Sequence, residues 1–336
     1  MSELQVTWFL LVGILLAGYA ILDGFDLGVG FWHVFAEKDD ERRIFLRAIG
    51  PLWDGNEVWL LTAGGALFAA FPPVYASVFS GFYLALVLVL LGLIFRVVSI
   101  EFRNQLRDPG WRRSWDMAFS LGSVLPALLF GVAVGNLVRG LPLDESGDYI
   151  GGFFGLLNPY ALLVGVAGLA MFATHGALYL VLKTEGGLRA KVRLWASRAW
   201  IVYLPLFLLC ATWSLVAHQE GSVLLPVAAS LIALVAIVGI GVFNRAGADG
   251  RAFLASAVSI AALFGAIGST IFPNLVRASN GASLSLSIFN ASASQHSLTI
   301  MLIIALLGMP VVVGYTVFIY RTFSGPVTAE DVDGGY

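Results

Sequence analysis

Nine times in 336 residues the chain turns apolar for about twenty residues or more, at 7–30, 51–71, 77–98, 117–138, 157–182, 199–217, 223–243, 253–272 and 299–320. Each run matches the ~20 residues an α-helix needs to cross the hydrocarbon core of a bilayer. Helices also satisfy the backbone internally where no water can. A porin-like barrel would instead show alternating segments of about ten residues. With 59% hydrophobic and only 12% charged residues, against roughly 25% charged in a soluble domain, an ordinary water-soluble enzyme is excluded. The first run lacks a basic leader and a small-residue cleavage site, so it reads as a helix and not as a signal peptide. The expected fold is an all-α polytopic membrane protein of nine transmembrane helices, one integral membrane domain over 1–336.

Charge placement orients those helices. Of the 19 basic residues, 17 fall after the first, third, fifth, seventh and ninth runs or at the adjoining helix ends, among them Lys38, Arg42, Arg103, Lys183, Arg193, Arg245 and Arg321. Only Arg139 and Arg277 fall on the other side. The positive-inside bias then puts the N-terminus outside and the C-terminus in the cytoplasm, as an odd number of spans requires. A net charge of −2 offers nothing to nucleic acid, and the arginine clusters suit anionic lipid. The single cysteine, Cys210, has no companion for a disulfide or a thiolate metal site.

Connections at 72–76 and 218–222 read as tight hairpins, while 139–156 and 273–298 are longer and expected outside. The segment 277–297, rich in Ser, Ala and Asn, reads as an ordered loop, with an interfacial turn over the outer mouth as the alternative. The tail "SGPVTAEDVDGGY" has little to bury. No Walker loop, GxGxxG or zincin spacing occurs, and pairs such as Gly131 and Gly135 suit close helix packing.

Polar residues inside the apolar runs are the candidate site. Asp23 and Asp26 in "ILDGFDLGVG" lie three residues apart, on one helical face. Asp54 and Glu57 repeat that spacing in "PLWDGNEVWLLTAGGALFAAFPP", beside Trp53 and Asn56. Carboxylates in or near hydrocarbon are expensive and are retained where they face protein, water or a moving proton. Plain helix-end charge against the macrodipole would account for them equally well. Arg96, near the end of the third run, is either their partner or a snorkelling cation. All these groups belong to the basic side of the chain. Of the four histidines, His33 and His218 sit near helix ends, His296 precedes the last run, and His175 alone lies deep in a helix with Met171 four residues before it. With no second histidine at helical spacing, His175 is a weak axial heme ligand, and any heme is expected to be ligated mainly elsewhere; no metal site is expected.

The stretches "LDGFDLGVG", "WDGNEVWLLTAGGALFAAFP", "FSGFY", "FR" at 95–96, "GNL" at 135–137 and "LNPYALL" resemble subunit II of the cytochrome bd-type ubiquinol oxidases, over essentially the whole chain. The resemblance implies two four-helix bundles plus one peripheral helix in a bacterial cytoplasmic membrane. It also implies a heterodimer with subunit I, possible small single-helix subunits, and contact with membrane lipid. Subunit I would ligate low-spin and high-spin heme b and either heme d or a third b-type heme, and the complex would oxidise quinol and reduce dioxygen to water without pumping protons. On this resemblance Asp26 and Asp54 match aspartates of the proton pathway or subunit junction, with Asp23 and Glu57 as weaker candidates. Arg96 and Trp53 match positions near the partner's heme propionates. The short turn "HQEGS" departs from members with a long insertion there, a form shared with part of the cyanide-insensitive branch. Two other readings stay open: a purely structural partner of subunit I, and an independent proton-coupled transporter.

Overall fold

The computed structural model describes residues 3–218 and 222–327, so residues 219–221 of the "HQEGS" turn and most of the C-terminal tail lie outside the described residues. The elements in chain order are α1 (Glu3–His33), α2 (Asp39–Ile49), α3 (Trp53–Ala70), α4 (Pro72–Gly81), α5 (Tyr83–Phe102), α6 (Pro109–Arg139), α7 (Pro159–Lys183), α8 (Gly186–Trp213), α9 (Leu224–Arg245), α10 (Asp249–Ile271) and α11 (Gln295–Thr322). A two-stranded antiparallel hairpin, β1 (Asn274–Val276) with β2 (Leu286–Ser287), precedes α11. The protein is an all-α polytopic membrane protein with eight helices long and apolar enough to cross a bilayer among the described residues: α1 and α5 to α11. The run expected as a ninth span, α3, falls short of that apolarity because Asp54, Asn56 and Glu57 occupy its first turns.

Local chemistry sets the helix ends. Asp108 accepts from the Trp111 amide at 2.7 Å ahead of Pro109, and Asn158 accepts from the Ala161 amide at 3.0 Å ahead of Pro159. A side-chain N-cap followed by proline at the first helical position is a strong start signal. Pro72 and Pro73 end α3 and open α4, since proline disfavours helical geometry in the preceding residue. Residues 72–76, read from the sequence as a tight hairpin, are therefore the first turns of a helix. The basic connection after α1 also folds, as α2, whose first turn is acidic (Asp39, Asp40, Glu41) and whose last carries Arg47, matching the helix dipole.

Helix α1 packs against α3, α6, α7 and α10, while α5 lies on α6, and α7, α8, α9 and α10 pack in succession. At the α1–α7 crossing Gly28 meets Gly176: a Cβ on Gly28 would lie 2.8 Å from the Gly176 Cα. Only glycine permits that approach, which holds the middle of α7 against the polar stretch of α1. Helix α11 touches α1 and α3 at the edge of the bundle, and only its Leu298 is buried. At the end away from Asp26, the segment 277–297, read as an ordered loop, holds β2 and the first turn of α11, and its start is pinned to 141–143. There Asn280 donates to the Leu143 carbonyl at 2.7 Å and accepts the Leu143 amide at 3.0 Å.

Candidate functional site

Three helices bring four of the predicted residues together. Asp23 on α1 takes a two-pronged contact from Arg96 on α5, Nη2 to Oδ1 at 2.7 Å and Nη1 to Oδ2 at 3.1 Å. The same Nη2 donates to Glu57 Oε1 on α3 at 2.6 Å. The Asp23 and Arg96 side chains are wholly buried, and Glu57 keeps 23% of its side-chain surface. A planar guanidinium matches a carboxylate edge in this geometry. Removing such charges from water costs several kcal/mol per ion, roughly, which good pairing offsets.

One turn along α1, Asp26 is buried to the same degree but makes no ion pair among the described residues. Its Oδ2 accepts from Asn56 Nδ2 at 2.7 Å, and Asn56 Oδ1 accepts from the Tyr320 hydroxyl at 2.9 Å. The other oxygen, Oδ1, is buried with no protein partner, as are Tyr19 Oη and Arg96 Nε. Two carboxyl groups thus share one guanidinium, and the third, Asp26, is the least compensated.

Asp54 does not join them. It is exposed on the first turn of α3, close enough to Glu57 to be felt electrostatically. Trp53 is half-buried against the apolar core around Phe25, Phe45 and Trp195. Arg96 points into the chain's own interior, with both terminal nitrogens occupied.

His175, the histidine deepest in a helix by sequence, has both ring nitrogens engaged. His175 Nε2 donates to the Ile21 carbonyl and Nδ1 accepts from Ser256, both at 2.9 Å, while the ring stacks on Phe253 at 4.6 Å. His33 is buried with Nε2 on Asp116 at 2.6 Å, and His296 is exposed. Among the described residues no group of three or more His, Cys, Asp or Glu could hold a metal ion.

Sequence reasoning missed a second buried polar network. Asp116 on α6 accepts from Arg103 Nε at 2.6 Å and from Arg42 at 3.4 Å as well as from His33. Arg103 also reaches Asp39 at 2.5 Å, and Asp39 takes Arg112 at 2.9 Å. Burial disfavours the Arg103 charge, but Asp116 and Asp39 outweigh it and raise its pKa further above the ordinary value.

The sequence profile described as "Cytochrome bd terminal oxidase subunit II" matches residues 4–323. The chain belongs to that family. Cytochrome bd-I ubiquinol oxidase subunit 2 of Escherichia coli (strain K12) is 37% identical over 366 residues, covering 98% of this chain and 97% of that protein. Cytochrome bd ubiquinol oxidase subunit 2 of Bacillus subtilis (strain 168) is 34% identical over 336 residues, covering 98% and 99%. In fold, the chain matches "The structure of bd oxidase from Geobacillus thermodenitrificans" with a TM-score of 0.79 at 17% identity, covering 95% of this chain and 98% of that one. The fold is thus shared with a chain of low identity, whereas the polar clusters above are read from this chain's own side chains.

Proposed function

We propose that this chain, as the accessory subunit of a quinol:oxygen oxidoreductase in the bacterial cytoplasmic membrane, supplies a carboxyl-based proton route beside subunit I. Quinol, dioxygen and the hemes, two of b type and either heme d or a third b-type heme, belong to the complex, and the hemes are ligated mainly by subunit I. In this reading α3 is the ninth span, α1, α3, α5 and α6 form one four-helix bundle, α7 to α10 form the other, and α11 is peripheral. The basic connections support an Asp26 end in the cytoplasm and an N-terminus outside.

The observation that carries the proposal is the gradation of burial toward Asp26: Asp54 is exposed, Glu57 partly so, and Asp26 wholly buried with a free oxygen. Arg96 pairs with both Asp23 and Glu57, so the carboxyl left without a cation is Asp26. A buried carboxyl short of partners is suited to exchanging a proton. This chain's residues hold and hand over protons; the redox chemistry is the partner's.

A structural reading has its own support in the wholly buried Asp23–Arg96 pair, which would lock α1 to α5 without any proton traffic. The two readings separate when the chain is purified with subunit I as wild type and as Asp26→Asn, recording heme spectra and quinol-dependent oxygen consumption. Retained hemes with turnover reduced at least tenfold support the proton route. Loss of hemes supports the structural junction.

A further inference from the structure

Helix α11 is the least attached of the long helices, yet its last turns cover the site. The Tyr320 ring packs edge-on against Phe25 at 6.3 Å, and its hydroxyl reaches Asn56 at 2.9 Å. Nearby, Lys183 at the end of α7 donates to the Phe323 carbonyl, and the Val327 amide donates to the Lys183 carbonyl at 2.9 Å. The end of α11 is therefore latched where a polar side chain can act on the buried carboxyl.

We propose that Tyr320 is a positioning residue that anchors the Asn56 amide and thereby the hydrogen bond it gives to Asp26. The inference rests on the proton route proposed above. An amide has one accepting and one donating end. Asn56 offers Nδ2 to Asp26 Oδ2 and leaves Oδ1 to accept from Tyr320. A flipped amide would set its oxygen against Asp26, which an ionised carboxylate cannot accept. The carboxylate thus sets which end of the amide faces it, and Tyr320, donating to the opposite end, holds Asn56 in place against Asp26. The charged and titratable groups around Asp26 are Asp23 on its own helix, Glu57 from α3, Arg96 from α5, Tyr179 from α7 and Tyr320 from α11. Of these, Tyr320 alone acts through Asn56.

The test uses the complex with subunit I and three variants: Tyr320→Phe, Ile319→Ala and Asp26→Asn. Ile319 sits on the same turn of α11 and packs against the core but has no polar link to the site. Heme content, turnover, the KM for quinol and the carboxyl-stretch region of redox-difference infrared spectra are recorded for each. Tyr320→Phe is expected to keep its hemes and its KM, to lose about three- to tenfold in turnover, the worth of one hydrogen bond, and to displace the carboxyl band that Asp26→Asn abolishes. Ile319→Ala should leave that band in place. If Tyr320→Phe matches wild type in both band and turnover while Asp26→Asn abolishes them, the positioning role is overturned and the proton route stands. If Ile319→Ala displaces the band equally, seating of α11 and not the hydroxyl is responsible, and the inference is also overturned. Wild-type turnover in Asp26→Asn would overturn the proton route itself.

Discussion

The two buried polar networks at the basic end of the bundle are built from the same residue types and close in opposite ways. Around Asp116, three arginines and a histidine surround two aspartates, and both oxygens of Asp116 are engaged. Around Arg96, one guanidinium serves Asp23 and Glu57, while Asp26 is left with an amide and one unpartnered oxygen. The first is a clasp joining the ends of α1, α2, α5 and α6. The second retains an uncompensated carboxyl in the interior, which packing alone gives no reason to keep. A charge set whose carboxylates are all paired holds a fold together, and one with a buried carboxyl left short of partners points to chemistry.

The sharpest way to break this contrast is to open the clasp. Asp116→Ala would leave buried Arg103 without its main partner, a change that typically costs about 3–5 kcal/mol. It is expected to lower the thermal unfolding temperature of the complex, followed by tryptophan fluorescence, and to reduce the yield of co-purified subunit I. Removing the Arg96 counter-ion with Arg96→Met should cost a comparable amount unless the abandoned carboxyl groups take up protons. It should therefore hurt stability less at low pH than at neutral pH, as unfolding at pH 5 and pH 8 would reveal. Gly28→Ala tests the platform beneath the site: the added methyl meets α7 backbone, and overpacking of this kind costs roughly 1–3 kcal/mol, readable in the same melting experiment.

The smallest expected effect lies outside the membrane. Partial burial works against the charge of Glu41, but Lys191 at 3.0 Å and the amides of Glu37 and Lys38 outweigh it and hold its carboxyl below the usual range. A depressed carboxyl contributes stability at neutral pH that is lost as pH falls through its folded-state value. Melting curves of wild type and Glu41→Gln should therefore differ slightly at pH 7 and converge on acidification below pH 4.

The membrane spans were legible because a bilayer leaves few alternatives: long apolar runs become helices whatever their neighbours. Asp23 and Asp26 on one face could also be anticipated from spacing, while Arg96 stayed open between a carboxylate partner and a snorkelling cation until its contact with Asp23. The remainder depended on contacts between distant segments. Tyr320 lies 264 residues from Asn56, and no local periodicity connects them. Asp116 is a single acid in an apolar helix, with partners from three other elements. The spacing of Asp54 and Glu57 gave them a common face but not a common depth, so Asp54 ended exposed while Glu57 turned inward. His175 illustrates the converse, since its two hydrogen bonds close off the one histidine whose depth suited ligation.

The most direct test of the contrast is a paired measurement on Asp26→Asn and Asp116→Asn, each purified with subunit I, with unfolding temperature, heme content and quinol-dependent oxygen consumption taken from the same preparation. Asp26→Asn is expected to keep the wild-type melting temperature and heme content while turnover falls at least tenfold. Asp116→Asn is expected to melt lower while the molecules that remain folded turn over normally. Equal melting losses in the two variants, or undiminished turnover in Asp26→Asn, would contradict the division of one end of the bundle into a clasp and a proton-carrying site.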